Sequence, residues 1–122
     1  MNEKIFKDRT KKLAIAIIRM AEGLPRSVAA TAIARQIVRS GTSIGANYRA
    51  ACRAKSTADM ISKLKGVEEE SDETAYWLEI ITEMEYLPHE KIALLAKETN
   101  EIVAMTVSSV KSLRARSRVR NS

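Results

Sequence analysis

Pro25 and Pro88 are the only prolines in this chain of 122 residues, and they leave long stretches free of the residue that most reliably ends a helix. Strands of ordinary length with frequent turns would not leave such stretches uninterrupted. Hydrophobic residues make up 45% of the chain but aromatics only 4%, so a core must be built from Ile, Leu, Val, Ala and Met. Both features favour helices. The length fits one domain, and a chain of this size can bury roughly two thirds of its unfolded surface without a staple.

Period and punctuation divide the chain into four helices. The first is expected from Glu3 to Glu22, with Ile5, Leu13, Ile17 and Met20 on its apolar side and Gly23 at a C′ position. Ser27 suits an N-cap for a second helix from Val28 to about Ala54, whose stripe is Ile33, Ile37, Gly41, Ile44, Tyr48 and Ala51. Ser56 with Asp59 gives a capping-box-like start to a third, reaching Glu85 through Leu64, Val67, Ser71, Thr74, Leu78 and Ile81. Pro88 fits the first position of a fourth, carrying Ile92, Leu95, Thr99, Ile102, Met105, Val110 and Leu113. Helices of this length joined by short connections fold back on each other, so the expectation is an all-α, antiparallel up-down-up-down four-helix bundle. It would occupy residues 1–115, with 116–122 as a basic, flexible C-terminal tail.

The stretch RSGTSIGANYRAACRAKS, residues 39–56, needs a separate explanation. Glycine costs about 1 kcal/mol against alanine inside a helix, so Gly41 and Gly45 imply a structural need. We read them, with Ser40, Ser43 and Ala46, as a site of close helix approach, which Ser71 and Thr74 of the third helix would face and across which Asn47 would hydrogen-bond. A helix broken at Gly41 is the alternative. A phosphate loop is excluded, because the G-x-x-x-x-G-K-[ST] spacing and a preceding strand are both missing.

Charge is segregated along the chain. From Leu24 to Ala58 there are six basic residues and no acid, while Thr57 to Leu87 holds nine acids against Lys63 and Lys65. Arg35, Arg39, Arg49 and Arg53 follow a line offset by two residues, about 200°, from the apolar stripe, which points them away from the core. Two readings stay open. The arginines could meet the acidic line of the third helix, within one chain or between copies. Alternatively, Arg35, Arg39, Arg49, Arg53 and Lys55 could track a nucleic-acid backbone, joined by Lys111, Arg114, Arg116, Arg118 and Arg120. The net charge of +6 is compatible with the second.

Nothing in the sequence points to catalysis, a cofactor or a metal. The one histidine, His89, cannot complete a Glu-x-x-His di-iron site, and no Ser/His/Asp or Cys/His arrangement occurs. The carboxylates Glu68, Glu69, Glu70, Asp72 and Glu73 scatter around their helix. Trp77 suits boundary packing or a subunit contact better than base stacking, and Tyr48 sits on the core line. The single Cys52 suits a reducing compartment. The apolar run after Lys11 and Lys12 is too short for a signal peptide, and no segment reaches membrane-span length, so a cytoplasmic protein without a membrane partner is expected.

ARQIVRSGTSIGAN (34–47) and KSTADMISKLKGVEEESDETAYWLEII (55–81) resemble the 23S rRNA-intervening sequence proteins, and the likeness extends over nearly the whole chain. Where many members read N-x-x-EG, Asn47 is followed here by YRAACRA. The resemblance implies an antiparallel four-helix bundle that assembles into a ring, with a homopentamer expected. It implies no enzyme activity. A related bundle, the accessory variability protein of diversity-generating retroelements, is a basic pentamer that binds nucleic acid. The expected role is therefore a non-catalytic oligomeric module for RNA or DNA; the alternative is a scaffold or adaptor for a protein partner, with the arginine stripe in subunit contacts.

Overall fold

The computed structural model describes residues 2–121, with side chains through 119. It contains four helices, α1 (Glu3–Glu22), α2 (Val28–Cys52), α3 (Thr57–Glu83) and α4 (His89–Asn121), and no strand among the described residues. Consecutive helices pack on one another and α1 closes the bundle against α4, the loosest of the four seams. Residue pairing runs in opposite directions across neighbours: Gly41 meets Ile17 and Gly45 meets Thr10, while Ser40 meets Thr74 and Asn47 meets Gly66. The bundle is antiparallel as expected.

Side-chain oxygens cap the helix starts. Asn2, Ser27 and Ser56 accept from the amides of Ile5, Ala30 and Asp59 at 3.0 to 3.1 Å, satisfying donors that have no intrahelical partner. The Asp59 carboxylate reaches back to the Lys55 amide at 3.2 Å. Gly23, expected at C′, is the C-cap of α1 and has a right-handed conformation (φ −89°). The left-handed residue is instead Glu85 (φ 57°). There the Glu85 amide donates to the Thr82 carbonyl and the Tyr86 amide to the Ile81 carbonyl, a paired closure usually given to glycine. Pro88 precedes α4, and its carbonyl accepts from the Lys91 amide.

The core is filled by Phe6, Leu13, Ile17, Ile37, Ile44, Leu64, Val67, Leu78, Ile81, Ile92 and Ile102. Ile5, expected inward, is 58% exposed, and Phe6 takes the inward place on the line Phe6, Thr10, Leu13, Ile17. Six hydroxyls are also buried: Thr10, Ser40, Ser71, Thr74, Thr99 and Thr106. Each bonds a carbonyl one turn back in its own helix, so no buried polar atom is left without a partner among the described side chains. Thr74 Oγ1 additionally lies 2.9 Å from Ser40 Oγ and ties α2 to α3.

Two expectations are corrected. Gly41 and Gly45 face α1, not Ser71 and Thr74: a Cβ at Gly41 would lie 2.8 Å from Ile17 Cδ1, and one at Gly45 would lie 3.2 Å from Thr10 Oγ1. Close approach is thus required, but by the other neighbour. Asn47 packs its amide on Gly66 of α3 and makes no side-chain hydrogen bond among the described residues, and the Ser43 hydroxyl folds back to the Arg39 carbonyl at 2.7 Å. The expected basic tail also needs restating. Residues 116–121 continue α4 as helix, because arginine is a good helix former, no Gly or Pro intervenes, and cations suit a helix C-terminus.

Candidate nucleic-acid interface

Helix α2 is continuous through Gly41 and Gly45, so its outer line is one ridge. Arg35, Arg39, Arg49 and Arg53 are all exposed on it, and Lys55 follows in the α2–α3 connection. The ridge is not uniform. Arg39 pairs with the carboxylates of Glu70, at 3.2 Å, and of Glu73, both on α3. Its Nε also donates to Gln36 Oε1. Trp77 Nε1 donates to the same Glu73 oxygen at 3.1 Å, and these two donors, the indole first, hold the Glu73 carboxyl below the usual range. Arg39 is therefore already matched by its own chain.

Arg35, Arg49, Arg53, Lys55, Arg114, Arg116 and Arg118 form no ion pair among the described residues. Arg114, Arg116 and Arg118 are exposed on the last turns of α4, and the side chain of Arg120 lies outside the described residues. The antiparallel order brings these distant sequence segments to one end. There the C-terminal part of α2, with Arg49 and Arg53, and the C-terminal part of α4 share the bundle end with the starts of α1 and α3. Lys4, Lys7, Lys11 and Lys12 of α1 add to it, with Lys7 offset by Glu3 and Lys12 by Asp8. After Glu101 the chain has no further acid. Two helix C-termini, each bearing partial negative charge, explain locally why arginines are stable there.

The opposite end carries more acid than base. Glu22 of α1, Glu79, Glu83 and Glu85 at the close of α3 and Glu90 of α4 outnumber Arg19, Arg26 and Lys91, all exposed. The groove between α3 and α4 contains one cleft near each end. The acidic one is lined by Ala75, Leu78, Glu79, Glu83, Ala96 and Asn100, among others. The basic one has Met60 and Leu64 of α3, Leu113 of α4 and the edge of Tyr48 as apolar walls, with Ser108, Ser109, Ser112 and Arg116 of α4 around them.

The remaining candidate residues have structural surroundings. Tyr48 is buried edge-to-face against Phe6 with ring centres 4.5 Å apart, and burial pushes its phenol upward. Burial likewise raises the Cys52 thiol, with a hydrogen bond to Glu3 as the second cause. Trp77 is half-buried against the core, and Tyr76 beside it is 55% exposed. His89 is exposed at the first residue of α4. No group of three metal-ligating side chains occurs among the described residues, and no helix among them is long and apolar enough to cross a membrane.

One contact was not anticipated. Arg9 of α1 forks onto Glu98 of α4 through Nε at 2.9 Å and Nη2 at 2.6 Å, and Nη2 also lies 3.0 Å from Glu101. It fastens the loosest seam. The Arg9 hydrogen bond holds the Glu98 carboxyl below the usual range. Sequence spacing alone does not show which neighbour Arg9 meets.

A family model described as 23S rRNA-intervening sequence protein matches residues 3–108. The chain is 36% identical to a protein of unknown function from the S23 ribosomal protein family of Bacteroides thetaiotaomicron, whose crystal structure superposes with a TM-score of 0.82. That likeness covers 91% of this chain and 99% of the other. No match is found among curated proteins.

Proposed function

This chain belongs to the 23S rRNA-intervening sequence protein family, and from that premise and its charge distribution we propose a non-catalytic, self-associating bundle that binds RNA or DNA through phosphates. One observation carries the reading: Arg49, Arg53 and Lys55 share an end of the bundle with Arg114, Arg116 and Arg118, all exposed and without an ion-pair partner among the described residues. Unpaired cations gathered at one end of a bundle raise the local potential, and a polyanion relieves that cost while releasing its counterions. Arg35 and the paired Arg39 lie farther along α2 and contribute less.

The test is fluorescence anisotropy of the full chain with labelled single-stranded and duplex RNA and DNA across a salt series. Affinity should fall steeply with salt, and Arg49→Ala or Arg53→Ala should each lower the logarithmic slope by about one. Arg39→Ala should lower it less. A flat salt response, or no binding at all, would overturn the reading.

A second reading, a homo-oligomeric scaffold or adaptor, is favoured by two features. Arg39 already engages carboxylates, and Ile18, Ala21, Ala34 and Val38 line an open apolar groove between α1 and α2 with Arg35 and Arg39 at its rim. The acidic outer face of α3 on a second copy would complement that rim. If Arg49→Ala and Arg53→Ala leave nucleic-acid binding intact but change the mass in solution, this second reading stands.

A further inference from the structure

We propose that the basic cleft between α3 and α4 accepts a single unpaired nucleobase whose phosphate is held by Arg116, which rests on the nucleic-acid reading above and names single strands as the ligand. The cleft is chemically divided. Met60 and Leu113, both half-buried, present apolar surface to a planar ring, with the buried Leu64 beneath them, while the three serine hydroxyls stand on α4 around the same cleft. Among the described residues each of the six buried Ser and Thr hydroxyls bonds a carbonyl of its own helix, whereas those of Ser108, Ser109 and Ser112 make no side-chain hydrogen bond. They are free to address a ligand. A hydroxyl both donates and accepts, so such a rim tolerates any base and specifies none.

Size and charge narrow the occupant. The space is about 270 Å³, just below the roughly 300–1,000 Å³ of pockets for drug-sized ligands, which is ample for one base. Arg116 closes the cleft on the chain's acid-free segment, at the same end of the bundle as Arg49 and Arg53, where a sugar–phosphate strand would already be held. Between the same two helices, the other cleft offers Glu79 and Glu83, which repel a phosphate. A duplex keeps its bases stacked and cannot fill the basic cleft. Single strands recognised by protein typically present unstacked bases, which a cleft of this kind can cover.

The experiment compares a fluorescein-labelled oligothymidine with an abasic oligomer of equal length and charge, using the full chain and Ser112→Leu. Ser112 is exposed, so the leucine narrows the cleft without entering the core, and a circular-dichroism melt checks folding. Ser109→Leu serves as the second variant. The full chain should prefer oligothymidine by about tenfold, the worth of burying part of one face of a base on apolar surface, and both variants should erase that preference while leaving the salt slope unchanged. Equal affinity of the full chain for the two oligomers overturns the cleft assignment alone, as does a preference that survives both leucines. Failure of the full chain to bind either oligomer overturns the cleft and the nucleic-acid reading together.

Discussion

The two ends of the bundle are built from the same four helices yet carry opposite charge, and the contrast locates function better than net charge does. At one end Arg49, Arg53, Arg114, Arg116 and Arg118 are exposed and unpaired among the described residues. At the other, Glu79, Glu83, Glu85 and Glu90 gather. A net charge of +6 spread evenly would attract any polyanion weakly. Gathered at one end it forms a directional field, with the acidic end opposing a reversed approach.

The strongest way to break this contrast is to reverse it. Arg49→Glu with Arg53→Glu should weaken oligonucleotide binding at least about 100-fold, about 2.7 kcal/mol, in a filter-binding assay at moderate salt. The matched reversal Glu79→Lys with Glu83→Lys should leave binding unchanged or tighten it. Equal losses from both swaps would mean that the ends are not functionally distinct.

The next prediction concerns what brings the lysines of α1 alongside the arginines of α2. Gly41→Ala would place a methyl 2.8 Å from Ile17 Cδ1 and 3.0 Å from its Cγ2 in a filled core. Overpacking should outweigh the helix-propensity gain and destabilise by about 1.5 kcal/mol. Gly66→Ala meets Asn47 only at 3.5 Å, so there the propensity gain should win. Urea unfolding of the two variants should therefore move the midpoint in opposite directions.

Seam strength is tested by Glu98→Gln. The forked pair with Arg9 should be worth about 1 kcal/mol at neutral pH. Because the folded protein holds the Glu98 carboxyl below its ordinary value, that stabilisation is complete above the unfolded carboxyl's pKa and disappears as pH falls through the folded one. Unfolding curves of protein and variant should differ at pH 7 and converge at strongly acidic pH. The smallest effect belongs to the acidic end, where Glu85→Gly relieves a left-handed glutamate and should stabilise by about 0.5 kcal/mol in a thermal melt.

Much of this architecture was legible in the sequence, for identifiable reasons. Helix boundaries followed from local chemistry: Ser27 and Ser56 cap where their hydroxyls can reach the next turn's amides. The arginine ridge followed from a phase difference on one helix. What periodicity does not encode is which neighbour a face meets. Gly41 and Gly45 were rightly read as a close approach but assigned to α3, when Ile17 and Thr10 of α1 fill the space. The Arg9 fork is likewise a tertiary fact about a long side chain, whereas the Arg39 pairing is the contact with the acidic third helix that charge segregation offered as one of two readings. The α1 stripe was misphased at Ile5 because Phe6 and Thr10 together make a better inward line, with Thr10 satisfied by the Phe6 carbonyl. Joining Arg49 to Arg116 required only the antiparallel order, while the cleft beside them required side-chain positions.

The most direct test is to map, by backbone amide chemical shifts, where an oligonucleotide touches the protein. The account predicts perturbations concentrated on the last two turns of α2, the start of α3 and α4 from Ser108 onward, with α3 from Glu79 silent. Perturbations centred on the acidic end, or spread evenly along all four helices, would contradict it.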